Sequence, residues 1–379
     1  MVVKLFEPYT IKGKLPLRNR TILPAIVTRL ATENGEVTDD LLERYELYAR
    51  GGVGMIVTEA VSVKKQKSGP LLRISDDSFV EGLKTLTARV HGVSDAKVGP
   101  QLIHFLKLSR SGYRQKVEDL TIEEVKEIPQ LFGEAAYRAR QAGFDMVELH
   151  FAHAYTMSSF LSRHNHRKDD YGGSLKKRLR LAEEVIVETR KSVGDDFVIG
   201  ARMNGDEFTR GGSSLKQTRV IATRLAELGL DYLSISAGGK FEDAVQREGR
   251  ALEPYTTGYS GSRAIPPAWA PEKVNVYLCK AIRDTLRAQG HDLPVATAAR
   301  IPTADVAQGI LENNEADLLA IARPILCDPH WPNKYASGRG ADVVQCTYCN
   351  QCAELDAAHQ KVICAQWKTK DGAYRAPRP

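Results

Sequence analysis

Short apolar runs alternate with longer helical patterns along almost the whole chain. The apolar runs have the length of buried strands and are bounded by turn-forming residues. Predicted strands occupy residues 21–27, 54–57, 98–103, 144–149, 197–203, 231–235, 294–298 and 317–321. Predicted helices occupy residues 38–50, 79–91, 121–142, 174–193, 215–228, 271–288 and 303–312. This alternation predicts an α/β fold, a (β/α)8 TIM barrel with right-handed crossovers.

The composition suits one large domain with a short extension. The chain has 379 residues and is 42% hydrophobic. A barrel takes about 250 residues, or more with insertions. We therefore expect the barrel in residues 1–335 and a cysteine-rich extension in residues 336–379. The net charge of +6 is spread along the chain without a long basic block, which argues against a nucleic-acid partner.

The sequence offers no segment for a membrane. No apolar run approaches the roughly 20 residues that cross a bilayer. The first residues show neither an apolar signal core nor a small-residue cleavage site. We expect a cytoplasmic protein.

The cysteines are concentrated near the C-terminus. Four of the six follow the pattern Cys346-x2-Cys349-x2-Cys352-x11-Cys364. Thiolates at such spacing indicate a metal site rather than disulfides, and both an iron–sulfur cluster and structural zinc fit the pattern. Cys279 and Cys327 lie in predicted buried positions and are interpreted as packing residues.

Polar residues follow the fourth predicted strand. His150 and His153 stand three residues apart at its C-terminal end, and Tyr155 follows two residues later. All three side chains can donate a hydrogen bond to a carbonyl oxygen, and barrel enzymes place their chemistry at the C-terminal ends of the strands. The alternative is a purely structural role for all three.

The same stretch resembles the Old Yellow Enzyme family of FMN-dependent ene-reductases. The matching motifs are H-x-A-[H/N]-G-Y at residues 150–155, F-L-S at 160–162 and N-x-R-x-D-x-Y-G-G-S at 165–174, before a helix that carries Arg178. The resemblance implies a TIM barrel, bound FMN and an α,β-unsaturated carbonyl or thioester as the small-molecule substrate. It also implies NAD(P)H as a reductant.

The resemblance further implies which residues contact FMN. Gln101 would bind the pyrimidine edge of the flavin, and Arg202 would stabilise negative charge on the reduced ring. Alanine stands where the family usually carries glycine around the phosphate, which we expect to be tolerated if the φ angles stay negative. Taken singly, Gln101 could be a capping amide and Arg202 part of a surface ion pair. The implied cofactor contacts are Pro24, Ala25, Ile26, Ala60, Gln101, Arg202, Gly239, Ala298, Ala299, Arg300, Ala322 and Arg323.

In the family, a histidine pair holds the substrate carbonyl oxygen while hydride passes from flavin N5. The resemblance assigns this oxygen contact to His150 and His153, and the proton donor role to Tyr155. Three departures from the family pattern concern the surroundings of the site. Ile26 replaces Thr or Cys near the flavin, and Ala154 replaces Gly. Phe105-Leu106-Lys107 replaces A-G-R and predicts a pocket that is either more open or capped by another part of the chain.

The cysteine segment is similar to that of the 2,4-dienoyl-CoA reductase branch of the family, which carries a [4Fe-4S] cluster. That branch has three residues between the second and third cysteines, whereas this chain has two. A cluster would allow an electron-transfer protein to reduce the flavin; zinc would leave NAD(P)H as the reductant. Oxidation of an amine and a non-catalytic barrel that docks a partner are the alternative functions. The C-terminal tail could reach a neighbouring protomer in a homo-oligomer.

Overall fold

The computed structural model describes residues 4–66, 69–106, 115–239, 261–369 and 372–379. Two short antiparallel strands, β1 and β2, precede eight parallel strands that close into a barrel in the order β10-β3-β4-β5-β6-β7-β8-β9. The strands are β1 Tyr9–Ile11, β2 Leu15–Leu17, β3 Thr21–Leu23, β4 Met55–Ser62, β5 Lys97–Ile103, β6 Met146–Phe151, β7 Val198–Asn204, β8 Tyr232–Ser236, β9 Val295–Ala298 and β10 Leu318–Ala320. The predicted (β/α)8 fold is confirmed.

Helices connect the barrel strands and cover their outer face. The α-helices in the described residues are α1 Asp39–Arg50, α2 Val80–Val93, α3 Ile122–Gln141, α4 Thr156–Leu161, α5 Leu175–Val193, α6 Leu215–Glu227, α7 Gly261–Ala264, α8 Val276–Ala288, α9 Ala304–Glu312, α10 Arg323–Cys327, α11 Trp331–Ala336 and α12 Gln351–Ala357. None of the helices in these ranges is long and apolar enough to cross a bilayer.

Three predicted boundaries were wrong for identifiable reasons. Strand β3 ends at Leu23 because Pro24 has no N–H group for the strand ladder. Strand β4 continues to Ser62, and a bulge between Val57 and Ala60 carries it past the predicted end. Helix α8 begins at Val276 instead of residue 271, since Lys273 has a left-handed backbone with φ +56°.

The inside of the barrel is filled with side chains towards the end where the strands begin. Met55, Met146 and Tyr232 pack there with residues of the β1–β2 hairpin, which closes this end. Gly200 makes room for the large ring: a Cβ atom on Gly200 would lie 2.0 Å from Cε1 of Tyr232. This packing leaves the opposite end, where the strands terminate, to form a site.

The cysteine-rich extension packs against the loop after β3 and against α1. Nε of Arg29 donates to Oδ1 of Asp356 at 2.7 Å, and the N–H group of Val362 donates to the carbonyl oxygen of Thr28 at 2.9 Å. Nη1 of Arg44 donates to the carbonyl oxygen of Val362 at 3.0 Å. Val362 and Trp367 belong to the same buried cluster as the barrel core. The division at residues 335 and 336 stays a prediction.

Candidate active site

A cavity lies at the C-terminal ends of the barrel strands. Most of the predicted site residues line it. The predicted residues in its wall are Pro24, Ala25, Ile26, Ala60, Gln101, His150, His153, Arg202, Ala298, Ala299, Arg300, Ala322 and Arg323. The predicted site residues, which lie between Pro24 and Arg323 in the sequence, thus surround one cavity.

The other two predicted residues lie beside the cavity. The ring of Tyr155 lies 5.1 Å from that of His150, between centroids. It packs against the apolar cluster that contains Ala60 and Ile103. Gly239 supports the backbone of His153, since a Cβ atom on Gly239 would lie 2.5 Å from the carbonyl carbon of His153.

The two histidines form a buried pair at the end of β6. Their ring centroids are 5.1 Å apart and the ring planes cross at 64°. Nδ1 of His150 is buried and has no hydrogen-bond partner in the protein, whereas Nε2 of His153 lies 2.7 Å from Oγ of Ser236. His153 and Ala154 have φ angles of +62° and +61°. This left-handed turn brings the ring of His153 back beside His150.

Both histidines are held in the neutral form. Burial, together with the charge of Arg202, lowers the pKa of His150 to about 3. Burial and Arg202 also hold the pKa of His153 well below its usual range. Arg202 stands opposite His150 in the register between β6 and β7, which explains its influence. A neutral imidazole carries one N–H donor, so the pair can donate hydrogen bonds without carrying a charge.

A hydrogen-bonded network lies beneath one end of the cavity. Nε2 of Gln101 donates to Oε1 of Glu148 at 2.7 Å, and the hydroxyl of Tyr232 donates to Oε2 at 3.0 Å. Glu148 stands opposite Gln101 between β5 and β6. Because Nε2 is used inside the protein, the amide oxygen of Gln101 can accept from a group in the cavity. Burial raises the pKa of Glu148, and the charge of Arg202 opposes this rise.

The loop after β9 differs from the expectation. The φ angles of Ala299 and Arg300 are +85° and +56°. The expectation that the alanines around the phosphate keep negative φ angles was therefore wrong for Ala299. A backbone turn of this kind can present N–H groups to an anion. Nε of Arg300 is buried without a partner in the protein. Arg323, at the start of α10, donates to the carbonyl oxygen of Pro266 at 2.7 Å.

The cysteine segment also contributes to the cavity, which the sequence interpretation missed. Tyr348, Cys352, Ala353 and Asp356 line its wall. Ser236 and Glu148, which hold predicted site residues in position, were missed as well. Nothing in the sequence signals the contribution of Tyr348, because it depends on how the extension folds back. Lys107, part of the predicted open loop, lies outside the described residues.

The four clustered cysteines line one small cavity. Across the ranges that the structure describes, no group of three or more His, Cys, Asp or Glu side chains is arranged to hold a metal ion. Cys327 was interpreted as a packing residue; it is buried, and its thiol donates to the carbonyl oxygen of Val344 at 3.3 Å. The neighbouring thiol of Cys327 lowers the pKa of the Cys364 thiol to about 7.

Comparison with known families agrees with this geometry. The model of the NADH:flavin oxidoreductase / NADH oxidase family matches residues 4–119 and 106–342. The chain belongs to this family. The NADH oxidase of Thermoanaerobacter brockii is 34% identical over 359 residues, which cover 89% of this chain and 52% of that protein. The NADPH dehydrogenase of Halalkalibacterium halodurans is 31% identical over 358 residues, 90% of this chain and 96% of that protein.

A solved structure has the same architecture. Histamine dehydrogenase from Rhizobium sp. 4-9 matches with a TM-score of 0.80 and 26% identity, over 96% of this chain and 52% of that one. The chain thus spans about half the length of two of these three proteins. Membership in the flavin oxidoreductase family confirms the resemblance drawn from the motifs between residues 150 and 178.

Proposed function

We propose that the protein is an FMN-dependent oxidoreductase that reduces the activated C=C bond of an α,β-unsaturated carbonyl compound or thioester. The observation that carries the proposal is the buried, neutral pair of His150 and His153 in the cavity wall. Two donors of this kind suit the negative charge that develops on a carbonyl oxygen during conjugate reduction.

The residues around the cavity fit FMN. At one end, the amide oxygen of Gln101 can accept from the flavin N3–H group, and Arg202 can stabilise charge at the pyrimidine side. At the other end, the left-handed turn at Ala299 and Arg300 and the guanidinium of Arg323 suit a phosphate. When bound there, FMN would supply hydride from N5.

The histidines would orient and activate the substrate. His150 and His153 donate hydrogen bonds to the carbonyl oxygen and withdraw electron density from the double bond. Burial and Arg202 keep both imidazoles neutral, so the oxygen receives hydrogen bonds and no proton. Tyr155, 5.1 Å from His150 between ring centroids, is the proposed proton donor to the α-carbon.

The visible absorbance of flavin provides the test. The protein should bind FMN, NADH or NADPH should bleach it, and a simple enone such as cyclohexenone should restore the colour. His150→Ala with His153→Ala should slow reoxidation by the enone by about 100- to 1000-fold, because both oxyanion donors are lost. Reduction by NAD(P)H should change far less. His166→Asn, at an exposed histidine outside the cavity, is the matched control. Equal rates in the double variant and the control would refute the role of the pair.

Oxidation of an amine is the second candidate function, favoured by the structural match to histamine dehydrogenase. An amine substrate would reduce the flavin in the absence of NAD(P)H, whereas an enone can only reoxidise it. Anaerobic mixing of the oxidised protein with histamine or trimethylamine therefore separates the two. If an amine bleaches the flavin and enones do not reoxidise it, amine oxidation would replace C=C reduction as the proposed function.

We further propose that the segment 336–379 holds a [4Fe-4S] cluster. Each thiolate of such a cluster binds a different iron, so the four cysteines must surround a common space. All four line one small cavity, and their segment is similar to that of the family branch that carries such a cluster. The cluster would allow a protein donor to supply electrons singly. Anaerobic purification should give about four irons and four sulfides per chain; one zinc per chain would overturn the proposal.

A further inference from the structure

Tyr348 stands where the two cavities of the molecule meet. It lies between Cys346 and Cys349, and its side chain lines both the large cavity at the barrel mouth and the small cavity of the cysteines. Its position makes it a link between the extension and the site.

The conformation of Tyr348 is costly and points to a role. Its φ angle is +56°, a region that bulky side chains rarely adopt. The side chain is 5% exposed, and its buried hydroxyl has no hydrogen-bond partner in the protein. A buried hydroxyl without a partner lowers stability, and a bound ligand is one explanation for such a group.

Two arginines face the ring of Tyr348. The guanidinium carbon of Arg300 lies 4.2 Å from the ring centroid, and that of Arg323 lies 4.7 Å from it. Nη1 of Arg323 also donates to Oδ1 of Asn350 at 2.5 Å, a second residue of the cysteine segment. Two guanidinium groups around one ring concentrate positive charge beside the Tyr348 hydroxyl, and an anion with several acceptor oxygens would offset it.

We propose that Tyr348 donates a hydrogen bond to a phosphate monoester held by Arg300 and Arg323, so that the cysteine segment forms one wall of the phosphate pocket. The inference rests on the proposed function, in which this phosphate is that of FMN. Tyr348 is then a binding residue for the cofactor, and the extension contributes directly to flavin affinity.

Tyr348→Phe tests the inference because it removes only the hydroxyl. Flavin fluorescence quenching gives the dissociation constants of FMN and of riboflavin, which lacks the phosphate. FMN should bind about tenfold more weakly to the variant, the effect of one hydrogen bond to a charged group. Riboflavin should bind equally well to both proteins. Tyr335→Phe, whose hydroxyl accepts from Gln345 near the surface, is the control and should change neither constant.

A role in folding alone gives a different result. Because the hydroxyl has no partner in the protein, Tyr348→Phe should leave the melting temperature of the flavin-free protein unchanged or raise it. A lower melting temperature with unchanged FMN binding would overturn the inference. So would an equal loss of affinity for FMN and riboflavin, since the hydroxyl would then serve the ring system.

Failure of the proposed function is distinguishable from failure of this inference. If the wild-type protein binds no flavin, the proposed function fails, and binding of inorganic phosphate is then measured by calorimetry. Binding to the wild type that Tyr348→Phe weakens would support the phosphate pocket for another phosphate monoester. No difference between the two proteins would refute it.

Discussion

At the scale of single residues, Ala299 shows how backbone strain is kept at the site. An L-residue in the left-handed region is less stable by about 1–2 kcal/mol, and glycine does not have this cost. Ala299→Gly removes the strain but loosens the unfolded chain, so we expect an unchanged or slightly higher free energy of unfolding. Ala281→Gly, inside helix α8, should lower it by about 1 kcal/mol. Urea titrations of both variants check this; equal losses would contradict the strain.

The same position shows why a left-handed backbone at an alanine cannot be predicted from the sequence. A glycine at 299 would have indicated a positive φ angle, whereas alanine predicted a negative one. The angle of +85° is imposed by the packing of the loop and has no local signal. Tyr348 and Asn350, with φ angles of +56° and +65°, are further cases. Such residues are found only once the structure is known, and here they surround the site.

At the scale of strands, the register between neighbouring barrel strands brings the carboxyl group of Glu148 close to the side chains of Gln101, Tyr232 and Arg202. Glu148→Gln keeps the shape but removes a carboxyl group that interacts electrostatically with Arg202. With FMN bound as proposed, Arg202 should then stabilise the reduced flavin more strongly. The two-electron reduction potential should rise by about 30 mV, a tenfold change in the equilibrium. Potentiometric titration measures it, and Tyr232→Phe, which removes one hydrogen bond and no charge, should shift it less. A lower potential in Glu148→Gln would contradict this account.

The contact between the extension and the barrel depends on another pair. The side chains of Arg29 and Asp356 are 7% and 12% exposed, and their hydrogen bond is 2.7 Å long. Asp356→Asn leaves a buried guanidinium without its counter-charge, and we expect a loss of about 3 kcal/mol in the free energy of unfolding. Asp284→Asn, at the exposed pair with Lys280, should give no measurable change. Similar urea midpoints for both variants would show that this pair does not hold the extension.

At the scale of the whole molecule, the order of elements was predictable and the contacts of the extension were not. Hydrophobic periodicity identifies the eight strands because each is buried on both faces. Closure of a barrel then brings the ends of those strands together, which is why residues such as Gln101, His150 and Arg202 were predicted as one site. The extension obeys no such rule. Its position follows from side-chain contacts such as Arg29 with Asp356, between residues more than 300 positions apart.

The ionisable groups of the whole molecule predict how stability depends on pH. Burial lowers the pKa of His104 and His150 to about 3, and that of His153 well below its usual range. The unfolded chain therefore binds protons first as the pH falls below about 6.5, which destabilises the fold. Burial raises the pKa of Glu59 and Glu207 to about 7. Their contribution is complete below about pH 4.5 and is lost as the pH rises through 7.

These opposing effects place the maximum of stability near pH 6.5. The free energy of unfolding should fall slightly from about pH 6.5 to 7.5 as the two buried carboxyls ionise, and slowly between pH 6.5 and 4.5, where histidines and carboxyls partly cancel. Below about pH 4.5 it should fall steeply, since the histidines then act without opposition. Urea midpoints from pH 8 to 3.5 give the profile. Glu207→Gln should make the decrease on the alkaline side of this profile smaller. His104→Gln should make the decrease on the acidic side smaller. A free energy of unfolding that stays level below pH 4.5 would mean that the buried histidines gain protons within the folded protein.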